Sequence, residues 1–245
     1  MQSRCELIRA WASRGELIRA CASRDHLTVI RHLLAPVVPP AAGALVLPRR
    51  LAPGTRGVAI TFDDGPHPDG TPAVLELLAQ AGARATFFMI GEQVSARPEL
   101  AGEIAAAGHC IALHGHRHRL QLRFGRGGVE EDLRRGADAI AQATGVEPVW
   151  HRPPYGIYSP DGLRAARRSG LKPLLWSQWG RDWRKFTTPQ RIYARVTDRL
   201  APGDVILLHD ADFYSAKDSH RRTAAALGLI LAELRRREIG TVLPV

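Results

Sequence analysis

Residues 61–66 read Thr-Phe-Asp-Asp-Gly-Pro and follow the apolar run Val58-Ala59-Ile60. Adjacent carboxylates at the end of a buried strand resist joint ionisation. Burial penalises each of them further, unless a cation or a shared proton relieves the pair. The plain alternative is an Asp-Gly turn in which Asp63 and Asp64 are both solvated. His114 and His118 lie four residues apart, so on one helical turn both imidazoles would face the same direction. With one carboxylate they form the two-histidine, one-carboxylate set of a catalytic zinc site, which leaves positions for water and substrate. His109 and His116 occupy the same stretch, so a His-rich surface loop is the competing reading. His116, two residues from each of the paired histidines, reads as solvent-facing. One aspartate is then spare, which suits metal-assisted hydrolysis: the metal activates water and polarises a carbonyl while a nearby base takes the proton.

Three further residues fit that chemistry. Arg152 could hold a base ionised through a charge-assisted pair, or serve as an ordinary structural salt bridge. Tyr155-Gly156 follow two prolines, giving a rigid turn whose backbone N–H could face an oxyanion. His209, after Leu207 and Leu208, is placed to protonate a leaving group, with a neutral core histidine as the alternative.

From Gly57 onward short apolar runs alternate with longer amphipathic ones. Strands are expected at 58–61, 86–90, 109–113, 149–152, 173–177, 205–208 and 241–243. Helices are expected near 72–81, 98–107, 128–144, 160–169, 189–201 and 219–238. Thr71-Pro72, Ser159-Pro160 and Thr188-Pro189 each offer a capping hydroxyl followed by a proline at the first helical position. Gly82, Gly108, Gly145 and Gly170 supply C-terminal stops. The alternation implies a parallel sheet, doubly wound or barrel-like. Asp63-Asp64, His114 to His118, Arg152 to Gly156, Asp182-Trp183 and His209-Asp210 all follow strands. Clusters at the carboxyl ends of separate strands converge only if the sheet curls. The expected fold is therefore α/β, a barrel-like arrangement of about seven parallel strands in a single domain.

The chain has 245 residues, 45% of them hydrophobic, and a formal net charge of +10. Cys5, Cys21 and Cys110 form no Cys-x-x-Cys and no even set, so neither a disulfide scaffold nor a thiolate zinc site is indicated. Residues 1–50 hold eight arginines against Glu6, Glu16 and Asp25. The charge is read as a solvated, Arg-rich surface rather than a nucleic-acid site, on the ground that no basic run is interleaved with aromatics. Residues 4–13 and 14–23 are near copies of one decapeptide, a period unlike the about 3.5 or about 3.67 residues per turn of coiled-coil repeats. Together with the Pro-rich stretch 33–47 they are expected to form a poorly ordered extension over residues 1–50, with the catalytic domain over 51–245. No apolar h-region near Met1 reads as a signal peptide, and 33–47 is too short to span a bilayer. The expected location is cytoplasmic by default, or the cell envelope if the start site is misplaced; the oligomeric state stays open.

In order, Thr61-Phe-Asp-Asp-Gly-Pro66, His114-x-x-x-His118, Arg152-Pro-Pro-Tyr-Gly156, Asp182-Trp183 and Leu207-Leu-His209 resemble the five motifs of polysaccharide deacetylases. This is carbohydrate esterase family 4, or the NodB-homology domain, and the likeness runs from about Gly57 to the C-terminus. The resemblance implies a distorted (β/α) barrel and metal-dependent removal of acetyl groups, usually from N-acetylated sugars. It implies Asp63 as general base, Asp64, His114 and His118 as metal ligands, and Arg152 as the tether of Asp63. It further implies the Tyr155 backbone N–H at the oxyanion and His209 as general acid, tuned by Asp182. Pro154, Trp183 and Leu207 would line the substrate pocket. The implied cofactor is a divalent metal, zinc first, with cobalt or nickel as alternatives; the implied partner is an acetylated carbohydrate. Gly115 stands where the family usually has a Ser or Thr that buttresses the metal loop. Asp182 lacks the acidic residues that often precede it, which leaves its role the least supported. Rival functions are hydrolysis of an O-acetyl ester or a non-sugar amide by the same site, or carbohydrate binding on a decayed enzyme fold.

Overall fold

Strand β1 (Ala59–Asp63) is buried at every position, as a parallel strand covered on both faces must be. It is followed by β2 (Thr86–Met89), β3 (Cys110–Leu113), β4 (Trp150–His151), β5 (Lys172–Pro173), β6 (Gln178–Trp179) and β7 (Val205–His209). The computed structural model describes residues 47–125 and 127–245; the decapeptide repeat and the expected poorly ordered extension lie outside the described residues. These strands pair only in parallel, in the order β5-β4-β3-β2-β1-β7-β6. Strands β5 and β6 are consecutive in the chain yet sit at opposite edges. The four residues 174–177 between them reach about 18 Å at most, so the sheet curls until its edges face each other. The result is the expected α/β architecture, a seven-stranded half-barrel.

Among the described residues the α-helices are α1 (Gly70–Gln80), α2 (Gly91–Ala96), α3 (Pro98–Ala106), α4 (Gly128–Thr144), α5 (Pro160–Arg168), α6 (Pro189–Thr197) and α7 (Ser219–Arg236). Ser159 and Thr188 cap α5 and α6 through their side chains, accepting the N–H of Gly162 and Arg191. Thr71 does not cap α1, whose N-cap is Asp69. Its buried hydroxyl, already inside the first turn, accepts the His67 N–H and donates to Asp210 instead.

Two expected strands are corrected. The apolar run 173–177 is not one strand: Leu174 to Ser177 spans the barrel gap. Its carbonyls are taken by side chains, those of Leu174 and Leu175 by Arg152 and that of Trp176 by Arg49. At 241–243 only one bridge forms, Val58 to Thr241. Helix α2 has six residues, too short to print a helical period on the sequence.

Candidate active site

The site lies where the strands stop. Asp63 and His209 are register partners on β1 and β7, as are Thr61 and Leu207. Residues two apart on a strand share a face, so Thr61 and Asp63 project together. Asp64, the first residue beyond β1, has a φ of 81°, a left-handed conformation uncommon for a residue with a side chain. This turn lets neighbouring carboxylates address different partners.

Asp64 Oδ1 lies 3.5 Å from His114 Nε2 and 3.3 Å from His118 Nε2. The three ligand atoms fall within 4.8 Å of one another. His114 Nδ1 is 2.7 Å from the Arg152 carbonyl oxygen. A carbonyl only accepts, so the proton is on Nδ1 and Nε2 offers a lone pair, the tautomer of a histidine ligand. Burial, and then Arg152, hold the His114 imidazole neutral with its pKa down near about 3. Asp64 Oδ1 is buried without a hydrogen-bond donor. Burial, with Asp63, Asp210 and Asp182 adding like charge, pushes its carboxyl up to about 7. The His114 lone pair facing a carboxylate oxygen, with no proton between them, fits a cation. Ligands about 2.1 Å from a tetrahedral zinc would sit about 3.4 Å apart, close to the spacings seen. The histidines do not share a helical turn, however: 114–118 is an irregular loop, and the convergence comes from its path.

Asp63 faces the other way. Its Oδ1 accepts from Arg152 Nη1 at 2.6 Å, and the same nitrogen donates to Thr61 Oγ1 at 2.9 Å. Arg152 is fully buried and gives Nε and Nη2 to the Leu174 and Leu175 carbonyls, each at 3.0 Å. Its guanidinium lies 3.9 Å over the Phe88 ring. Asp63 Oδ2 remains 3.7 Å from His114 Nε2, beside the candidate metal position. Burial raises the Asp63 pKa, and Arg152 opposes that rise.

Across the barrel mouth, His209 Nδ1 meets Asp182 Oδ1 at 2.9 Å, while the His209 backbone N–H donates to Asp182 Oδ2 at 2.7 Å. Thr223 on α7 donates to the same oxygen. Burial pulls the His209 pKa down, but Asp182, helped by Asp64 and Asp63, reverses this and pushes it up to about 10. Trp183 stands edge-on to His209 at 5.5 Å. Tyr155 has a φ of 64° in the turn Pro154–Gly156, and its ring lies 4.7 Å from His118. Pro154 and Leu207 are buried.

His116 is not solvent-facing. It is 7% exposed and packed so closely that a Cβ on Gly91 would lie 2.6 Å from its Nδ1. Several contributors escaped the sequence reading. Asp132 on α4 accepts the His116 and Arg117 N–H groups at 3.0 and 3.2 Å, buttressing the loop where Gly115 offers no hydroxyl. Gly115 has a φ of 93°, and a Cβ there would sit 3.0 Å from Asp132 Oδ2. The Tyr214 ring stacks on His118 at 4.1 Å and its hydroxyl accepts from Gln93. Thr61 and Thr223 complete the list. Only Thr61, inside the first motif, carried a sequence signal.

A family model for polysaccharide deacetylase matches residues 51–174. A chitooligosaccharide deacetylase of Bradyrhizobium sp. is 37% identical over 191 residues, covering 75% of this chain and 87% of that protein. A peptidoglycan-N-acetylglucosamine deacetylase of Bacillus cereus is 36% identical over 181 residues, covering 73% and 82% respectively. The crystal structure of a peptidoglycan N-acetylglucosamine deacetylase in complex with 4-naphthalen-1-yl-N-oxidanyl-benzamide matches with a TM-score of 0.74 at 27% identity, covering 80% of this chain and 89% of that one. The family 4 carbohydrate esterase from Streptomyces lividans in complex with acetate matches with a TM-score of 0.68 at 30% identity, covering 78% and 94%.

Proposed function

Because the chain belongs to the polysaccharide deacetylase family, we propose that it is a metal-dependent hydrolase that removes acetyl groups from an N-acetylglucosamine-type glycan and releases acetate. The chitooligosaccharide and peptidoglycan deacetylases among its relatives supply the substrate class. The observation that carries the reading is the division of labour between adjacent aspartates: Asp63 on Arg152, Asp64 on the two histidines.

Asp64, His114 and His118 would hold the metal, zinc being the first candidate and cobalt or nickel the alternatives. When bound, such an ion acidifies water and polarises the acetyl carbonyl. Asp63 takes the proton of the attacking water. Arg152 keeps that carboxylate ionised and fixes which oxygen is available. The Tyr155 backbone N–H donates to the developing oxyanion. His209, protonated and aimed by Asp182, delivers a proton to the departing amine. Pro154, Trp183 and Leu207 form the wall against the acetyl methyl.

The test is acetate release from N-acetylglucosamine oligomers by metal-loaded protein. Asp63→Asn is expected to lower the rate by at least about a hundredfold. A variant that keeps the wild-type rate overturns the assignment of the base.

A further inference from the structure

The loop that carries Asp182 and Trp183 also carries cations. From 179 to 186 it reads Trp-Gly-Arg-Asp-Trp-Arg-Lys-Phe, which is a basic run interleaved with aromatics, contrary to the reading of the whole sequence. The Arg181 guanidinium lies 4.6 Å over the Trp179 ring. Trp179 packs 5.3 Å from Trp183, which in turn touches His209. Cationic charge thus stands two rings away from the proposed acid. Lys185 Nζ is 5.5 Å over Phe186, a ring left 81% exposed. On α6, Arg191 and Arg195 reach back to the Phe186 carbonyl and the Thr187 hydroxyl.

These cations lack counter-charges. Among the described residues, none of Arg181, Arg184, Lys185, Arg191 and Arg195 pairs with a carboxylate. Some surface arginines elsewhere do pair, Arg134 with Glu131 and Asp138, and Arg236 and Arg237 with Glu233; what sets this loop apart is that its cations are gathered beside Trp183 and His209. The one acid in the loop, Asp182, is buried and committed to His209 and Thr223. Arg181 is held at a φ of 52°, and burial, then the nearby Arg184 and Arg195, lower its pKa. Like charges gathered on one loop without carboxylate partners attract an anion.

We propose that residues 179–186, with Arg191 and Arg195, bind a carboxylate-bearing sugar next to the N-acetyl group that is cleaved, so that the preferred glycan is acidic rather than neutral. This rests on the glycan reading of the site. A guanidinium fork matches a carboxylate, and the open Phe186 ring offers an apolar face to a pyranose.

Calorimetric binding to the Asp63→Asn protein tests it apart from catalysis, so that absent acetate release bears on the proposed activity alone. The probes are an N-acetylglucosamine–N-acetylmuramic acid tetrasaccharide, with its lactyl carboxylates, and a neutral chitin tetramer. At low salt the acidic probe is expected to bind about tenfold tighter. That advantage should collapse towards equality in about 0.5 M salt, and equally in an Arg184→Gln/Lys185→Gln/Arg195→Gln variant, whose changes are all at exposed positions. Equal affinities for the two probes overturn the proposal, as does an advantage that survives both salt and substitution. An oligonucleotide that competes as well as the acidic glycan also overturns it, since the surface would then be a general cation patch.

Discussion

Among the described residues, two clusters of two histidines and an aspartate each gather their ligand atoms closely enough to share one ion. Asp64, His114 and His118 form the first; His67, Asp212 and His220 form the second. By residue type they are the same. Their hydrogen bonds separate them. His114 gives its Nδ1 proton to a carbonyl, leaving Nε2 as a lone pair. His67 Nδ1 instead accepts the Asp69 and Gly70 N–H groups, so its proton sits on Nε2, 3.2 Å from Asp212 Oδ1. A proton occupies the place where a cation would need electrons. Asp212 also accepts the Asp218 N–H, and the His67 ring packs against Phe213 and His220. We read the second cluster as a clip on the loop that carries Asp212 and Tyr214. Backbone amides two and three residues downstream of His67 thus decide that cluster's chemistry.

The contrast is easiest to break by metal content. His114→Ala should weaken zinc binding by more than the roughly 100-fold that loss of a ligand's own hydrogen-bond partner costs, while His67→Ala retains full stoichiometry after dialysis. If His67→Ala also loses metal, the clip reading is wrong. Thermal shifts sharpen the same point. Zinc at about a thousand times its dissociation constant should stabilise the wild type and Asp212→Asn by about 4 kcal/mol, but leave Asp64→Asn unmoved.

Proton linkage comes next in size. Without the cation the Asp64 carboxyl is pushed up to about 7 by burial, and binding requires it ionised. Zinc affinity should therefore fall as pH drops below about 7, with proton release on binding detectable by calorimetry in buffers of different ionisation enthalpy. Affinity flat between pH 5 and 7 (on the order of the scale set by the free carboxyl) would contradict this. The proposed acid has its own limb: in that role His209 must be protonated, so activity is expected to fall as pH rises through its pKa. Asp182→Asn removes the carboxylate that holds that pKa up, and should move the alkaline limb down by about 1 unit or more. The smallest effect is Tyr214→Ala, which gives up a stacked ring worth about 0.5–1.5 kcal/mol. Zinc affinity should drop only a few-fold, measured by chelator competition.

Much of this was legible because parallel strands end in chemistry. Asp63, His114, Arg152 and His209 each sit at or just past a strand's last paired residue, so apolar runs followed by polar clusters announced them. Asp182 was the least supported of the expected residues, yet both its oxygens are engaged by His209. What could not be read was supplied across space. Asp132 comes from the middle of α4, Thr223 from α7, and Tyr214 from a loop with no period of its own. The burial of His116 was hidden for the same reason, since its neighbours Gly91 and Gly136 lie far along the chain. The 173–177 run looked like a strand because its residues are apolar, and sequence cannot show that a side chain rather than a neighbouring strand takes its carbonyls.

That last feature has a consequence for anyone reshaping the protein. The Arg152 guanidinium can spend one arm on Asp63 because the unpaired carbonyls of Leu174 and Leu175 hold the other two. Regularising the seam, by extending β5 or β6 through residues 174–177, would hand those carbonyls to a neighbouring strand and leave a buried cation short of acceptors. A tidier barrel would be a worse host for this aspartate, so the irregular seam is a part to preserve in redesign.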